Sequence, residues 1–334
     1  MSIKRQIQIL ILRLSVRHLY GPRRINYTTE ELIVLSVVRN GELYVKSFIE
    51  HYFSLGVKHI VFLDNGSTDH TIAIAQHYSH VTILQTKCPY KRYETLMKAY
   101  LVKRFSKRRW NLFADIDEFF DYPYSDRLSL SHLLRYLNHY SYTAVVSQML
   151  DLFSDQELQT LSNGWDQNIK QSFIYYDISD IEQTAYVWGS VSNPAIKMHW
   201  GGIRKTLFGT YNGLTKAAMT FVDNQIELFV DYHHVRNASI ADFSAVLLHY
   251  PFTCSFPGKV YEAVQTNRYA LSASDQYEMY WQRIQQEPSL KISTDNALVL
   301  NNVNDLVSKE FLIVSPNYLE WISECNWEGR SLQN

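Results

Sequence analysis

From position 31 onward, apolar residues recur in two alternating rhythms. Glu31 to Val38 (ELIVLSVV) is a continuous apolar run with β-branched residues, the pattern of a strand buried on both faces. Glu42 to Leu55 carries its apolar residues at helical spacing and stops at Gly56, a residue suited to ending a helix. Val57 to Leu63 reads as a second strand, Thr71 to Tyr78 as a short helix entered through GSTD, and Val81 to Leu84 as a third strand. Lys91 to Lys107 follows as a basic amphipathic helix, and Trp110 to Asp117 as a fourth strand. Four strands separated by helices predict parallel βαβ units with right-handed crossovers, hence an α/β fold.

Beyond these units, residues 129–139 (SLSHLLRYLNH) predict a helix and Tyr142 to Leu150 another strand. Asp151 to Tyr211 is irregular and rich in Trp, Gly, Asn and Asp, which suits loops that carry a substrate site. Extended segments are expected at Ala217 to Val222 and Ile226 to Val230. Ala238 to Leu248 fits either helix or strand, with Val246 to Tyr250 extended ahead of Pro251. The last seventy or so residues read as mostly helical, with no evident chemistry. The expected division is a basic arm over 1–29, a catalytic α/β domain over 30–260 and a helical C-terminal extension over 261–334.

Composition narrows the function classes without choosing one. The 334 residues are 46% hydrophobic with 32 basic against 33 acidic side chains, so a large folded core is expected and a nucleic-acid partner is not. Cys88, Cys254 and Cys325 lie far apart, which gives neither a disulfide framework nor a zinc site and fits a reducing, cytoplasmic setting. The first 26 residues hold six Lys or Arg and no acid around a broken apolar run. That run is too short to span a bilayer, which takes ~20 apolar residues, and it lacks the small-residue cleavage site of a signal peptide. It suits peripheral contact with an anionic membrane surface, or else a solvated arm or a helix packed on the body.

The candidate chemistry sits where the strands end, because ligands of open parallel sheets bind beyond the carboxyl ends of the strands. The first strand delivers Arg39-Asn40, the second DNGSTD beginning at Asp64, and the fourth Asp115-Ile116-Asp117-Glu118. Ser67, Thr68 and Asp69 suit capping of the helix that follows, whereas Asp64 suits a base or ribose. On an extended segment Asp115 and Asp117 would share one face, and two such carboxylates repel unless a cation or proton relieves them. Oxygen ligands point to Mg2+ or Mn2+, which also binds a diphosphate. His249, after an apolar run in LLHYPF, could add a neutral imidazole. His233 and His234 lie nearby.

The segment LSVVRNGELYVKSFIEHYFSLGVKHIVFLDNGSTDHT, followed by WNLFADIDEFF, resembles the opening half of family-two-type glycosyltransferases with the GT-A fold. It is most similar to the bacterial branch with an Arg-Asn pair after the first strand and an Asp-x-Asp-Glu-Phe motif. GGIRKTLFG, LTKAAM, DYHHV and LLHYPF extend the resemblance over roughly residues 31 to 290. It implies a mostly parallel, Rossmann-type nucleotide-binding sheet and a nucleotide-diphosphate sugar donor. Arg39, Asn40 and Asp64 would then lie at the nucleoside, Asp115 near the ribose or metal, and Asp117 and His249 on the metal. Arg204 and Lys205 would neutralise the leaving diphosphate; Lys216 and His234 match the pattern without an assigned role. The family's Glu-Asp base pair is absent, which makes Asp151 the choice of general base, with Asp177, Asp180 and Glu182 as competitors. The expected activity is inverting transfer of a sugar to a glycan or lipid-linked acceptor, in cell-surface polysaccharide or glycolipid synthesis. The alternatives are a nucleotidyltransferase, disfavoured because RNGE rather than a Gly-rich phosphate loop follows the first strand, and a non-catalytic carbohydrate-binding or scaffold protein.

Overall fold

The computed structural model describes residues 3–161, 168–188, 191–223, 225–228, 233–266, 269 and 272–331. The chain opens with α1 (Ile3–Ser15), β1 (Arg17–Tyr20), β2 (Leu32–Val38), α2 (Glu42–Ser54), β3 (His59–Asp64), α3 (Thr71–Ala75), β4 (Val81–Gln85) and α4 (Tyr90–Phe105). It continues through β5 (Trp110–Phe113), β6 (Glu118–Asp121), α5 (Leu130–His139), β7 (Ala144–Asp151), α6 (Ile169–Ser172), β8 (Tyr175–Tyr176), β9 (Ile181–Trp188), β10 (Val191–Gly201) and α7 (Ile203–Phe208). Then come β11 (Thr215–Phe221), β12 (Ile240–His249), α8 (Phe256–Thr266), α9 (Ser272–Gln286), β13 (Leu298–Val299), α10 (Asp305–Ser308) and α11 (Pro316–Ser331).

Nine strands form one sheet in the order β1-β4-β3-β2-β5-β11-β7-β12-β6. Six of them (β4, β3, β2, β5, β7 and β12) run one way, and β1, β11 and β6 run against them. The expected α/β class, largely parallel sheet and helical C-terminal region are all present. The continuous apolar run of β2 has a physical reason: the sheet is covered on both faces. Leu32, Val34 and Val38 pack with Val45, Phe48 and Ile49 of α2, while Ile33, Leu35 and Val37 pack with Leu96, Met97 and Leu101 of α4. Each fully buried aliphatic side chain contributes about 1.5–3 kcal/mol.

Several boundaries differ from the sequence reading. The stretch from Asp151 to Tyr211 is not mainly loop; β9 and β10 form a long antiparallel hairpin within it. β9 is largely exposed, and β10 buries Val191, Ile196, Met198, His199 and Gly201 at uneven spacing, so neither shows the apolar alternation that marks a half-buried strand. Ala238 to Leu248 resolves as strand β12. Of the extended segment expected at Ile226 to Val230, residues 229 and 230 lie outside the described residues. Within the 1–29 arm, β1 pairs antiparallel with β4, so the arm contributes a strand to the sheet edge. Helix α8 runs across the expected boundary at 260. Among the described residues, no helix is long and apolar enough to cross a membrane.

Candidate active site

The chain steps outward from β2 to β3 to β4, then returns to place β5 on the other side of β2. Strand order therefore reverses between β2 and β5, the position where open α/β sheets leave a crevice. A cavity of about 930 Å³ opens at this edge. Its floor holds Arg39 and Asn40 after β2, Asp115 and Asp117 after β5, and His249 at the end of β12; Lys259 of α8 lines its side.

Asp115 and Asp117 reach the cavity by a different route from the one expected. β5 ends at Phe113, and residues 114–117 form a turn closed by the Glu118 amide donating to the Asp115 carbonyl (2.9 Å). The two side chains do not share a strand face; the turn distributes them to two lysines. Lys216 Nζ donates to Asp115 Oδ2 at 3.2 Å and to Glu118 Oε2 at 2.7 Å. Lys259 Nζ donates to Asp117 Oδ2 at 3.0 Å. Burial alone would push both aspartates up, but ammonium groups, those of Lys216 and Lys98 beside Asp115 and that of Lys259 beside Asp117, hold both below the usual carboxylate range.

His249 is fixed by the sheet itself. In the ladder it lies opposite Asp151 of β7 and Glu118 of β6. Its Nδ1 lies 2.6 Å from Asp151 Oδ1, and its Nε2 lies 3.8 Å from Asp117 Oδ2. Asp151 also accepts from Arg204 Nε at 2.7 Å. With Nδ1 engaged by Asp151, Nε2 is the ring nitrogen turned toward Asp117. Asp151, expected as the general base, is 6% exposed with both oxygens engaged, and it does not line the cavity. Its contact with the site runs through His249 and Arg204. Arg204 reaches the cavity wall from the first turn of α7, which a tight Gly201-Gly202 turn aims inward. Gly201 adopts φ +85°, and a Cβ there would lie 2.8 Å from the Asp180 carbonyl oxygen.

Asp64 occupies a different place from the nucleoside contact expected of it. Fully buried, it accepts from the Gly66 and Ser67 amides and from Gln85 Nε2, and so shapes the turn after β3. Ser67 and Thr68 bind Asn40 rather than cap α3: the Asn40 amide donates to Ser67 Oγ and the Thr68 amide to Asn40 Oδ1. Asp69 serves two helix starts, accepting from the Thr71 amide of α3 and the Glu42 amide of α2. The DNGSTD turn thus braces the Arg39-Asn40 loop, where Asn40 holds φ +51°. Arg39 lines the cavity and pairs with Glu262 at 3.3 Å.

Lys205 lies outside the cavity lining, ion-paired to Asp180 (2.8 Å) and Glu182 (3.0 Å), so it does not share the position of Arg204. Those pairings also occupy two of the competing carboxylates; the third, Asp177, is buried and binds the Ser179 amide and the Thr294 hydroxyl. The sequence reading missed Lys259 entirely, and it missed the aromatic walls. Tyr269 and Tyr277 stack at 4.8 Å on one side of the cavity, while Trp188 and Trp200 line it from the hairpin. Trp188 stacks on His234 at 3.9 Å, and Trp200 lies parallel to Tyr211 at 6.1 Å. No local motif marks these positions, since the strands and helices that carry them meet only in the fold.

Asp117 and His249 offer one carboxylate and one imidazole to a cation. That pair fits Mg2+ or Mn2+, which commonly takes one or two protein ligands and completes its shell with water and phosphate. Among the described residues, no three His, Cys, Asp or Glu side chains cluster closely enough for a cage built from protein alone.

No protein-family model matches the chain, and neither does any curated protein sequence. Among solved structures the chain is similar to glucosyl-3-phosphoglycerate synthase from Mycobacterium tuberculosis, in complex with Mn2+, UDP and glucosyl-3-phosphoglycerate. The match has 16% identity and a TM-score of 0.23, and covers 38% of this chain and 50% of that one. At that TM-score the likeness carries no argument about this chain.

Proposed function

We propose that this chain is a glycosyltransferase that takes a nucleotide-diphosphate sugar and moves its sugar to a hydroxyl acceptor, with the donor diphosphate over Asp117 and His249. The observation that carries this reading is the position of that pair. They lie 3.8 Å apart, in a cavity at the sheet's switch point, with the imidazole held by Asp151. The family-two resemblance of the sequence points the same way, and the order of the sheet agrees with it.

Asp117 and His249 would hold a divalent ion, Mn2+ or Mg2+, which when bound makes the leaving diphosphate less basic. The chain's own cations share that task. Lys259 and Arg204 line the same cavity and face the charge that develops on departure of the diphosphate. Arg39 and Asn40 are in reach of the nucleoside end, on a loop stiffened by Ser67 and Thr68. Trp188, Trp200 and the Tyr269–Tyr277 stack offer flat faces for a sugar ring, orienting donor and acceptor for attack. Asp151 acts here through His249, as the group that sets the imidazole's tautomer. Cell-surface polysaccharide or glycolipid synthesis in the cytoplasm is the setting we assign to the reaction.

Titration calorimetry of nucleoside diphosphates with and without Mn2+ tests the clamp. Binding should need the ion and vanish in Asp117→Asn, and undiminished binding by that variant would reject the assignment. Hydrolysis across a panel of nucleotide sugars then separates an enzyme from a carbohydrate binder or scaffold. Release of pyrophosphate from a nucleoside triphosphate would instead favour a nucleotidyltransferase.

A further inference from the structure

Helix α1 has two apolar faces, and among the described residues only one of them is packed against the rest of the protein. Ile9, Leu12 and Val16 turn toward α4 and the core beneath it, with Leu12 2% exposed. Ser15 Oγ at the helix end lies 2.7 Å from Thr86 Oγ1, and β1 continues into the sheet edge. The helix is thus anchored rather than adrift. On its other side Ile3, Ile7, Leu10, Ile11 and Leu14 remain between 45% and 79% exposed. At 3.6 residues per turn these five fall within an arc of about 100°, a complete apolar stripe. With Leu19, they make up six of the fourteen large hydrophobic residues left exposed among the described residues.

Charge identifies the occupant. Lys4 flanks the stripe on one side and Arg13 on the other, and Arg17, Arg23 and Arg24 follow, all exposed, with no acid before Glu30. We infer that this face seats the protein on an anionic lipid surface, with the stripe in the acyl boundary and the basic residues on the head groups. A second copy of the chain is a poorer occupant. Two such helices laid stripe to stripe would bring cation against cation, with no carboxylate on α1 to relieve them.

Co-sedimentation of the full chain with phosphatidylcholine vesicles, with and without phosphatidylglycerol, tests the inference. Binding should require the anionic lipid and weaken with salt. Leu10→Glu with Leu14→Glu changes two exposed positions and should lower binding about tenfold or more while the circular dichroism stays unchanged. Lys4→Gln and Arg13→Gln should each lower it about fivefold. Equal binding to neutral and anionic vesicles, or no binding to either, overturns the proposal. So does a dimer in analytical ultracentrifugation that Leu10→Glu with Leu14→Glu dissolves while vesicle binding persists.

Discussion

His249 Nδ1 lies 2.6 Å from Asp151 Oδ1 because β12 and β7 pair in parallel with these two residues in register. A carboxylate behind an imidazole fixes its tautomer and raises its basicity, and loss of such a partner typically costs 10–100-fold in metal affinity. Asp151→Asn should therefore weaken Mn2+-dependent binding of a nucleoside diphosphate by about that factor. In a His249→Gln background the same change should add little, since the two act as one unit. Additive losses in the double variant would separate Asp151 from the site.

Lys259 should set the acid limit of the clamp. Its ammonium, 3.0 Å from Asp117 Oδ2, is the main force opposing the upward pull of burial on that carboxyl. In Lys259→Met, burial dominates and the carboxyl takes up its proton at higher pH. Divalent binding needs the ionised form, so its loss on acidification should begin at higher pH than in the parent. A pH series of Mn2+ titrations reads this directly, and coincident profiles would count against it.

Stability should fall on mild acidification because of His51. Its Nε2–H donates to the Phe120 carbonyl at 2.7 Å, and its Nδ1 accepts from Lys170 Nζ at 3.3 Å, so the folded ring is neutral. Burial, with Lys170 next, lowers its pKa from 6.5 to about 3. Below pH 6.5 the unfolded chain takes up a proton that the folded one refuses, and the stability present above that pH is progressively lost toward pH 3. Between pH 7 and 5 this amounts to about 2 kcal/mol. Urea midpoints at the two pH values should differ less in His51→Gln than in the parent.

Lys216 should matter to folding as much as to ligand binding. Glu118 is 2% exposed, and its carboxylate faces Lys216 at 2.7 and 2.9 Å. Lys216→Met leaves that charge buried without its counter-ion and should cost about 3–5 kcal/mol. Adding Glu118→Gln should recover most of the loss in urea denaturation. A single variant as stable as the parent would contradict the buried pairing.

The sequence made the sheet and its carboxyl edge legible because β2 to β5 are strongly apolar and sharply punctuated. Asp115, Asp117 and His249 could be placed at that edge for a related reason: each lies just after an apolar run. The error over the two aspartates was geometric, since nothing local tells where β5 yields to a turn. Asp151 was misread because its role depends on which strand lies beside β7, a long-range pairing. Asp64 looked like a ligand because a strand-end aspartate bonds equally well to its own turn. Lys259 stayed hidden since only the path of α8 across the edge brings it to Asp117.

Helix α4 touches both surfaces that matter most. Its residues Tyr90, Glu94 and Lys98 wall the cavity, and it also carries the packed side of α1. A single rod of sixteen residues therefore lies between the proposed lipid contact and the cavity. A membrane-borne acceptor of the proposed transfer would meet the protein already gathered in two dimensions, and the proposed turnover on such an acceptor would outpace turnover on its head group free in solution.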